Sequence, residues 1–515
     1  MQIDALAQLM AMHPEVDVLS QALSRKRNRH FLLSGLYASA QAIILTSLRS
    51  QLINNGIAQP MMIVMDDSDA AQYMYADIKT LIDERNVFFF PCSHRRRQKT
   101  DEALTVQRTE VLTALLGEEA RGERREDSSN TAYSLKASPI IITTPEALAE
   151  AVPNPQVLEK NKISLSVGEE LPISMLTEML INLDFKRVDF VYEPGQFAVR
   201  GGIVDVYSFA HDIPVRMDFF GDEVDSIREF ELETQLSKNK VDSVDIVGSQ
   251  SNDKDITTIM AYLPTETLWI GEDFGLMKFK MTSTITEIDA ETIIHQIWQS
   301  ITLELNQKSS FDSHEIVTFD TLPQPTFNKN FELLIDDLKQ RMSDGYKIYI
   351  LADQVKQTDR LKAIFDDKES GIQFVAIDHT LHEGFIDHSA KICCYTDHQI
   401  FERYHRVTLR SENARRGKAI ITLKEINQLQ VGDYVVHVDH GIGQFAGLVT
   451  TNFHGRPQET IKLVYKGGDT VFVSIHNLHR ISKYKGREGS EPTISRLGSG
   501  AWERMKERTK DKVKD

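Results

Sequence analysis

Cysteine is nearly missing: 515 residues hold three, Cys92, Cys393 and Cys394. Adjacent cysteines rarely pair and no C-x-x-C spacing occurs. A disulfide framework and a zinc finger are therefore excluded, and the reading is reduced thiols in a cytoplasmic protein. Positive charge is short as well. A net charge of −16 excludes a surface that coats nucleic acid everywhere, and leaves local basic patches and basic protein partners. The opening MQIDALAQLMAMHPEVD lacks both the basic start and the sustained apolar core of a signal peptide. Only residues 31–48 approach the uncharged length of a membrane span, and Ser34, Ser39, Gln41, Thr46 and Ser47 interrupt them. They read as a buried strand, turn and helix.

That stretch, HFLLSGLYASAQAIILTSL, lacks something more telling. It has the layout of a phosphate-binding loop, G-x-x-x-x-G-K-[ST], in which backbone N–H groups cradle phosphates, Lys reaches their oxygens and a hydroxyl holds Mg²⁺. Set on Gly35, the frame gives Ala40, Gln41 and Ala42 at the three chemical positions. Gln41 brings no charge, Ala42 binds no metal, and Ala40 puts a Cβ where backbone must approach phosphate. The residues admit two readings: a loop that has lost its nucleotide, or a turn that never held one.

What is present is a chain long enough for about three to five domains. Residues 1–153 interleave strand-like runs (PMMIVMDD, VFFFP, PIIITTPEAL) with helix-like ones (AAQYMYADIKTLID), the pattern of a parallel sheet covered on both faces. Residues 117–133 are charged and read as a surface loop. Residues 154–236 turn strand-rich, with turn signals at Pro194-Gly195 and Gly201-Gly202. Residues 237–325 read weakly. Residues 326–410 alternate helix and strand as a small α/β domain, and a polar linker, 411–426, follows. Residues 427–487 carry short alternating runs between Gly-rich turns, expected to form a small, bent antiparallel barrel. Residues 488–515 end in a helical pattern with no stop signal and Trp502 and Met505 on one side, so the natural chain is expected to continue. The fold class is thus multidomain, α/β and α+β.

The order of segments resembles UvrB, the damage-loading subunit of nucleotide excision repair. RVD, PGQFAVRGGIVDVY and FFGDEVDSI are similar to UvrB's UvrA-docking module, and YLPTETLWIGED to the approach to its second ATPase motif, with Glu272-Asp273 in reversed order. The resemblance implies a degenerate RecA/helicase-like sheet, 1–153 continued in 237–325, with an inserted UvrB-type module. GDYVVHVDHGIGQFAGL and LVYKGGDTVFVSIHNLHRISKY resemble the polymerase-interacting domain shared with CarD-type regulators, a Tudor-like barrel. YTDHQIFERY and LGSGAWERMKERTKDKVKD follow in family order. Together they identify the chain as a member of the bacterial transcription-repair coupling factor (Mfd) family.

The family implies two binding surfaces and no catalytic residues within 1–515. UvrA contacts fall on Arg187, Phe197 and Arg200, with Tyr207 close by; two guanidiniums beside an aromatic suit an interface. The competing reading pairs Arg187 with Asp189 or Asp205 and puts Phe197 in the core. RNA polymerase β-subunit contacts fall on Leu448, Val449 and Thr451, by addition of an edge strand. No cofactor is expected in this part; ATP, Mg²⁺ and double-stranded DNA belong to a C-terminal motor absent from it. His437, Asp439 and His440 read as turn chemistry and not as a metal site, since alternation sends neighbours to opposite faces. HRRRQK (94–99) is a DNA-contact candidate or an ion-paired loop. A monomer without membrane contact is expected. An enzyme that keeps residual ATPase chemistry through Glu272 and Asp273, and a barrel-only transcription regulator, are the competing functions.

Overall fold

The computed structural model describes residues 13–25, 29–93, 102–122, 138–403 except 233, 250–254, 285–287 and 369, then 429–453 except 438, 456–474 and 481–484, with residues 3, 10, 492, 494–497 and 502. The chain divides into two compact units, Met1–Lys160 with Gln250–Leu409, and Asn161–Ser249 with Arg410–Asp515.

The first unit is built on a seven-stranded sheet in the order Glu315–Thr318, His30–Ser34, Ile301–Glu304, Leu268–Gly271, Met61–Val64, Ile140–Thr143, Val87–Phe90. Every pairing in it is parallel. Parallel strands are covered on both faces, which is why MMIV, IIIT and LWIG are apolar without alternation and buried throughout. The helix Ala40–Asn54 is buried almost all round, with Ile43, Ile44, Leu45 and Leu48 fully enclosed. The uncharged run is therefore core, and no described helix is long and apolar enough to cross a membrane. The weakly read stretch supplies two central strands, Leu268–Gly271 and Ile301–Glu304. Four-residue strands carry too few positions for a period to show.

One expectation is corrected. The helix Glu102–Gly122 runs through the first residues of the segment read as a loop at 117–133. Glu, Ala and Arg are good helix formers that extend a helix already nucleated. Residues 123–137 lie outside the described residues, as do the basic run 94–99 and the linker 411–426. Of the last helical pattern, Trp502 alone is described beyond residue 497.

A second sheet has five strands, ordered Thr321–Pro323, Phe385–Asp387, Ile392–Thr396, Lys347–Leu351, Val375–Ile377. Alternation along Lys347–Leu351 divides its side chains. Ile348 and Ile350 pack with Leu334, Leu338 and Leu361 of the helices Phe331–Ser343 and Val355–Asp367. Tyr349 and Leu351 join the same core as Phe31 and Leu33 of the seven-stranded sheet.

In the second unit, six strands are ordered Ser237–Val241, Glu223–Phe230, Val215–Phe220, Ile203–Tyr207, Gln196–Arg200, Lys186–Arg187. One face packs Phe197, Val204, Val206 and Met217 on Leu176 and Leu180 of the helix Ile173–Asn182. A further five-stranded antiparallel sheet is ordered Thr470–Ser474, Arg456–Val464, Gly441–Phe453, Tyr434–His437, Ile481–Lys483. Its core is Val435, Phe445, Ile461, Leu463 and Val473.

Candidate functional site

Gly35 ends the strand His30–Ser34 in the left-handed region, φ +76°, where a side chain would be strained. A Cβ there would sit 2.0 Å from the Phe319 carbonyl oxygen. The carbonyl of Gly35 accepts from Thr321 Oγ1 at 2.8 Å, and Tyr37 N donates to the same hydroxyl at 3.0 Å. Gly35 thus serves close packing against residues 319–321. Ala40 opens the next helix, the Gln41 amide donates to Leu36 O at 3.3 Å, and Ala42 is buried. A cavity of about 360 Å³ lies beside this loop. Asp67, Asp69, Asp77, Glu272 and Glu383 line it, with no Lys or Arg among its lining residues. Such a wall repels phosphate.

Glu272 and Asp273 follow the strand Leu268–Gly271, at the end of the sheet where the loop lies. Glu272 accepts from Asp66 N at 2.9 Å, and burial raises its pKa. Asp273 is the N-cap of the helix Phe274–Ser283, accepting from Leu276 N at 2.8 Å. Both carboxylates are engaged as backbone acceptors. No group of three or more potential ligands able to hold a metal occurs among the described residues. Within the other described side chains, Cys92 donates to Glu150 Oε1 at 2.9 Å, while Cys393 and Cys394 are buried and free.

The four residues expected at a UvrA-type contact do not lie on one surface. Arg187 is exposed, with no side-chain partner among the described residues. Arg200 is half-buried: it pairs with Asp205, donates to Asp189 O at 2.9 Å, and lies 5.2 Å over the Phe190 ring. Phe197 and Tyr207 are corrected to internal residues, since both have no exposed surface. Phe197 alternates onto the helix-covered face, and the Tyr207 hydroxyl donates to Asp212 O at 2.9 Å. The pairing of Arg187 with Asp189 or Asp205 does not occur either; Asp205 is taken by Arg200 and by Arg216, whose Nε and Nη2 donate at 2.7 and 2.9 Å. Cross-strand register sets Arg216 opposite Asp205. The signal available in the sequence was the shared alternation of IVDVY and VRMDFF. Phe190 and Tyr192, just before the strand Gln196–Arg200, pack with the core of the second five-stranded sheet.

On that sheet, Tyr434–His437 pairs only with Gly441–Gln444 of its long neighbour. Past the bulge between Phe445 and Leu448, the neighbour pairs on one side alone, with Arg456–Ile461. One backbone edge of Leu448–Phe453 therefore has no strand partner among the described residues. Leu448 is exposed and Val449 half-buried on this stretch; Thr451 stands in it opposite Gln458. His437 is buried, its Nδ1 accepts from Asp439 N at 3.1 Å, and its ring stacks on His440 at 4.5 Å, which is turn chemistry.

Residues 163–251 match the family model of the UvrB interaction domain, and residues 429–485 that of the CarD-like/TRCF RID domain. The chain is also similar to proteins named transcription-repair-coupling factor. That of Bacillus subtilis is 23% identical over 94% of this chain and 47% of its own length. Those of Staphylococcus aureus and Staphylococcus haemolyticus are 22% identical over 94% and 95% of the chain, and 48% of their own. The chain spans about half the length of these relatives. Two domain matches, in an order the sequence motifs share, and similarity along nearly the whole chain set it beside the transcription-repair-coupling factors.

Proposed function

We propose that this chain is an ATP-independent adaptor that couples transcription to nucleotide excision repair. The RID-type sheet binds the β subunit of stalled RNA polymerase, and the UvrB-type module recruits UvrA. The observation that carries the reading is the backbone edge of Leu448–Phe453 that has no strand partner among the described residues, an edge a partner's sheet can extend. Main-chain bonds along that edge give affinity, and Leu448, Val449 and Thr451 give specificity. On the module, Arg187 and the Arg200 guanidinium over Phe190 are the contact groups, with Arg200 held by Asp205. Phe197 and Tyr207 act only by keeping the sheet in shape.

The seven-stranded sheet is read as a degenerate RecA/helicase-like scaffold, and the RID-type sheet as a Tudor-like barrel. The loop at Gly35, Ala40, Gln41 and Ala42 makes nucleotide turnover no part of this chain's work. ATP, Mg²⁺ and translocation on double-stranded DNA are assigned to the half of the relatives that this chain does not span.

Binding of the chain to the N-terminal part of the polymerase β subunit, and to UvrA, tests the reading. Leu448→Arg is expected to abolish polymerase binding and leave UvrA binding intact; Arg187→Glu is expected to do the reverse. Polymerase binding without any UvrA binding would refute the repair role and leave a transcription regulator.

A further inference from the structure

The loop 188–194 of the UvrB-type module divides its side chains between two cores. Val188 and Val191 pack in the module's own cluster with Ala198, Tyr207 and Phe230. Phe190 and Tyr192 go the other way, into the core of Val435, Phe445, Ile461 and Leu463 of the RID-type sheet. Both domains belong to one compact unit. Tyr192 is only 6% exposed, so it is a member of that core and not a contact on its surface. Aromatics bury about 150–250 Å² each, and two of them from another domain are a large share of so small a core.

The module fixes the two ends of this loop through its backbone. Val188 N donates to Phe197 O at 2.8 Å, and Gln235 Nε2 to Val191 O at 3.3 Å. Tyr192 N and Glu193 N both donate to Gln196 Oε1, at 2.9 and 3.1 Å. Between these anchors stand Asp189 and Phe190, the residues on which Arg200 rests. Asp205 holds Arg200 by Nη2, while Nη1 donates to Asp189 O at 2.9 Å and the guanidinium lies 5.2 Å over the Phe190 ring. Burial raises the Tyr192 hydroxyl pKa, and the nearby Arg200 charge opposes that rise. One nitrogen of Arg200 is thus set by its own sheet, and the tilt of its plane by a loop whose aromatics sit in the other sheet.

We propose that Phe190 and Tyr192 are positioning residues through which the RID-type sheet sets the Arg200 guanidinium. The two sheets share no strand, yet a change that loosens the RID-type core loosens the shelf under Arg200. The polymerase-type and UvrA-type surfaces are then parts of one body, and a core substitution in one domain is felt at the contact group of the other. That Arg200 contacts UvrA rests on the function proposed above; that the joint sets its position does not.

Leu463→Ala, in the RID-type core and outside the module, tests the joint in the full chain. Exchange of the Tyr192 and Glu193 amides is expected to speed about tenfold, with Val215–Phe220 keeping its protection. Phenylglyoxal labelling of Arg200, read by mass spectrometry, is expected to rise about threefold. UvrA affinity is expected to fall about fivefold, the lower end of ordinary coupling between sites. Tyr192→Ala should move the labelling in the same way, and Tyr192→Phe, which keeps the ring, should not. Unchanged exchange and labelling in Leu463→Ala would overturn the joint, even where the RID-type sheet itself unfolds, since its loss must free the loop. Equal labelling in Tyr192→Phe and Tyr192→Ala would overturn it too. Should Leu463→Ala unfold the module as well, Val473→Ala takes its place with the same expectations. Faster labelling with unchanged UvrA affinity would uphold the joint and remove Arg200 as a UvrA contact.

Discussion

Replacing Asp205 by Ala probes the electrostatic centre of the UvrB-type module. Asp205 has no exposed surface, and its carboxylate accepts two bonds from Arg216 and pairs with Arg200. The Arg216 side chain is only 16% exposed, and the Asp205 bonds hold its pKa up. Without Asp205 it keeps Gln235 O at 3.1 Å and the Phe230 ring at 4.8 Å, but no other ion-pair partner among the described residues. Breaking a buried pair from one side costs about 3–5 kcal/mol. Arg200, 35% exposed, adds less than about 1 kcal/mol. A loss of about 3 kcal/mol is expected for the module, and at about 4–8 °C per kcal/mol its transition falls by about 12–24 °C. Calorimetric melting of the full chain reads this, with hydrogen exchange over Val215–Phe220 assigning the transition. Adding Arg216→Leu should recover at least half, because an apolar pair of similar size replaces a buried ion pair at little cost. A loss below about 1 kcal/mol, or no recovery in the double variant, would refute the assignment of Asp205 as the buried counter-charge.

Other outcomes follow from the same structure. Phe197→Ala should destabilise the module by about 3–5 kcal/mol, as an emptied aromatic site does, with UvrA affinity lost only as the module unfolds; a stable variant that fails to bind would restore Phe197 as a contact. Gly35→Ala should cost about 1–2 kcal/mol for the left-handed backbone alone, and more for the approach to Phe319 O, read as a lowered urea midpoint. Burial, ahead of the opposing bonds from Ser39 and His382 N, pushes Asp77 up to about 7, with Glu383 adding to it. Asp67, Asp69, Glu272 and His382 also face the cavity. The folded state then keeps a proton that the unfolded chain has released, so this contribution is present below about pH 4, falls as pH rises to about 7, and is flat above. Asp77→Asn should remove that slope from the difference between urea midpoints at pH 5 and pH 8; an unchanged slope would show that Asp77 does not titrate there.

Much of the fold was legible because its signals are local. The uncharged run around Gly35, the apolar strands MMIV and IIIT, and the alternating runs after Gly432 each state their burial within a few residues. The strands Leu268–Gly271 and Ile301–Glu304 were less legible, being four residues long and made central only by distant partners. The family resemblance drew Arg187, Phe197, Arg200 and Tyr207 together as a site. Strand alternation puts Phe197 and Tyr207 on opposite faces of the sheet, and both faces are covered, Phe197 by the helix Ile173–Asn182 and Tyr207 by a cluster with Val191, Ala198 and Phe230, which leaves the two arginines.

The sequence by itself determined what the loop at 35–42 cannot do: no Lys, no hydroxyl and no second Gly stand at the chemical positions, and no tertiary arrangement supplies them. It also determined the two domain types, since their motifs are contiguous and their turns need particular glycines. Only the tertiary structure decided which charges are spent and which are free. Asp205 takes Arg200 and Arg216, Asp77 takes Ser39 and His382, and Arg187 is left exposed. The reason is physical: a buried carboxylate must find donors, and which donors come within reach is fixed by strand register and by segments up to 305 residues away, not by neighbours in the chain.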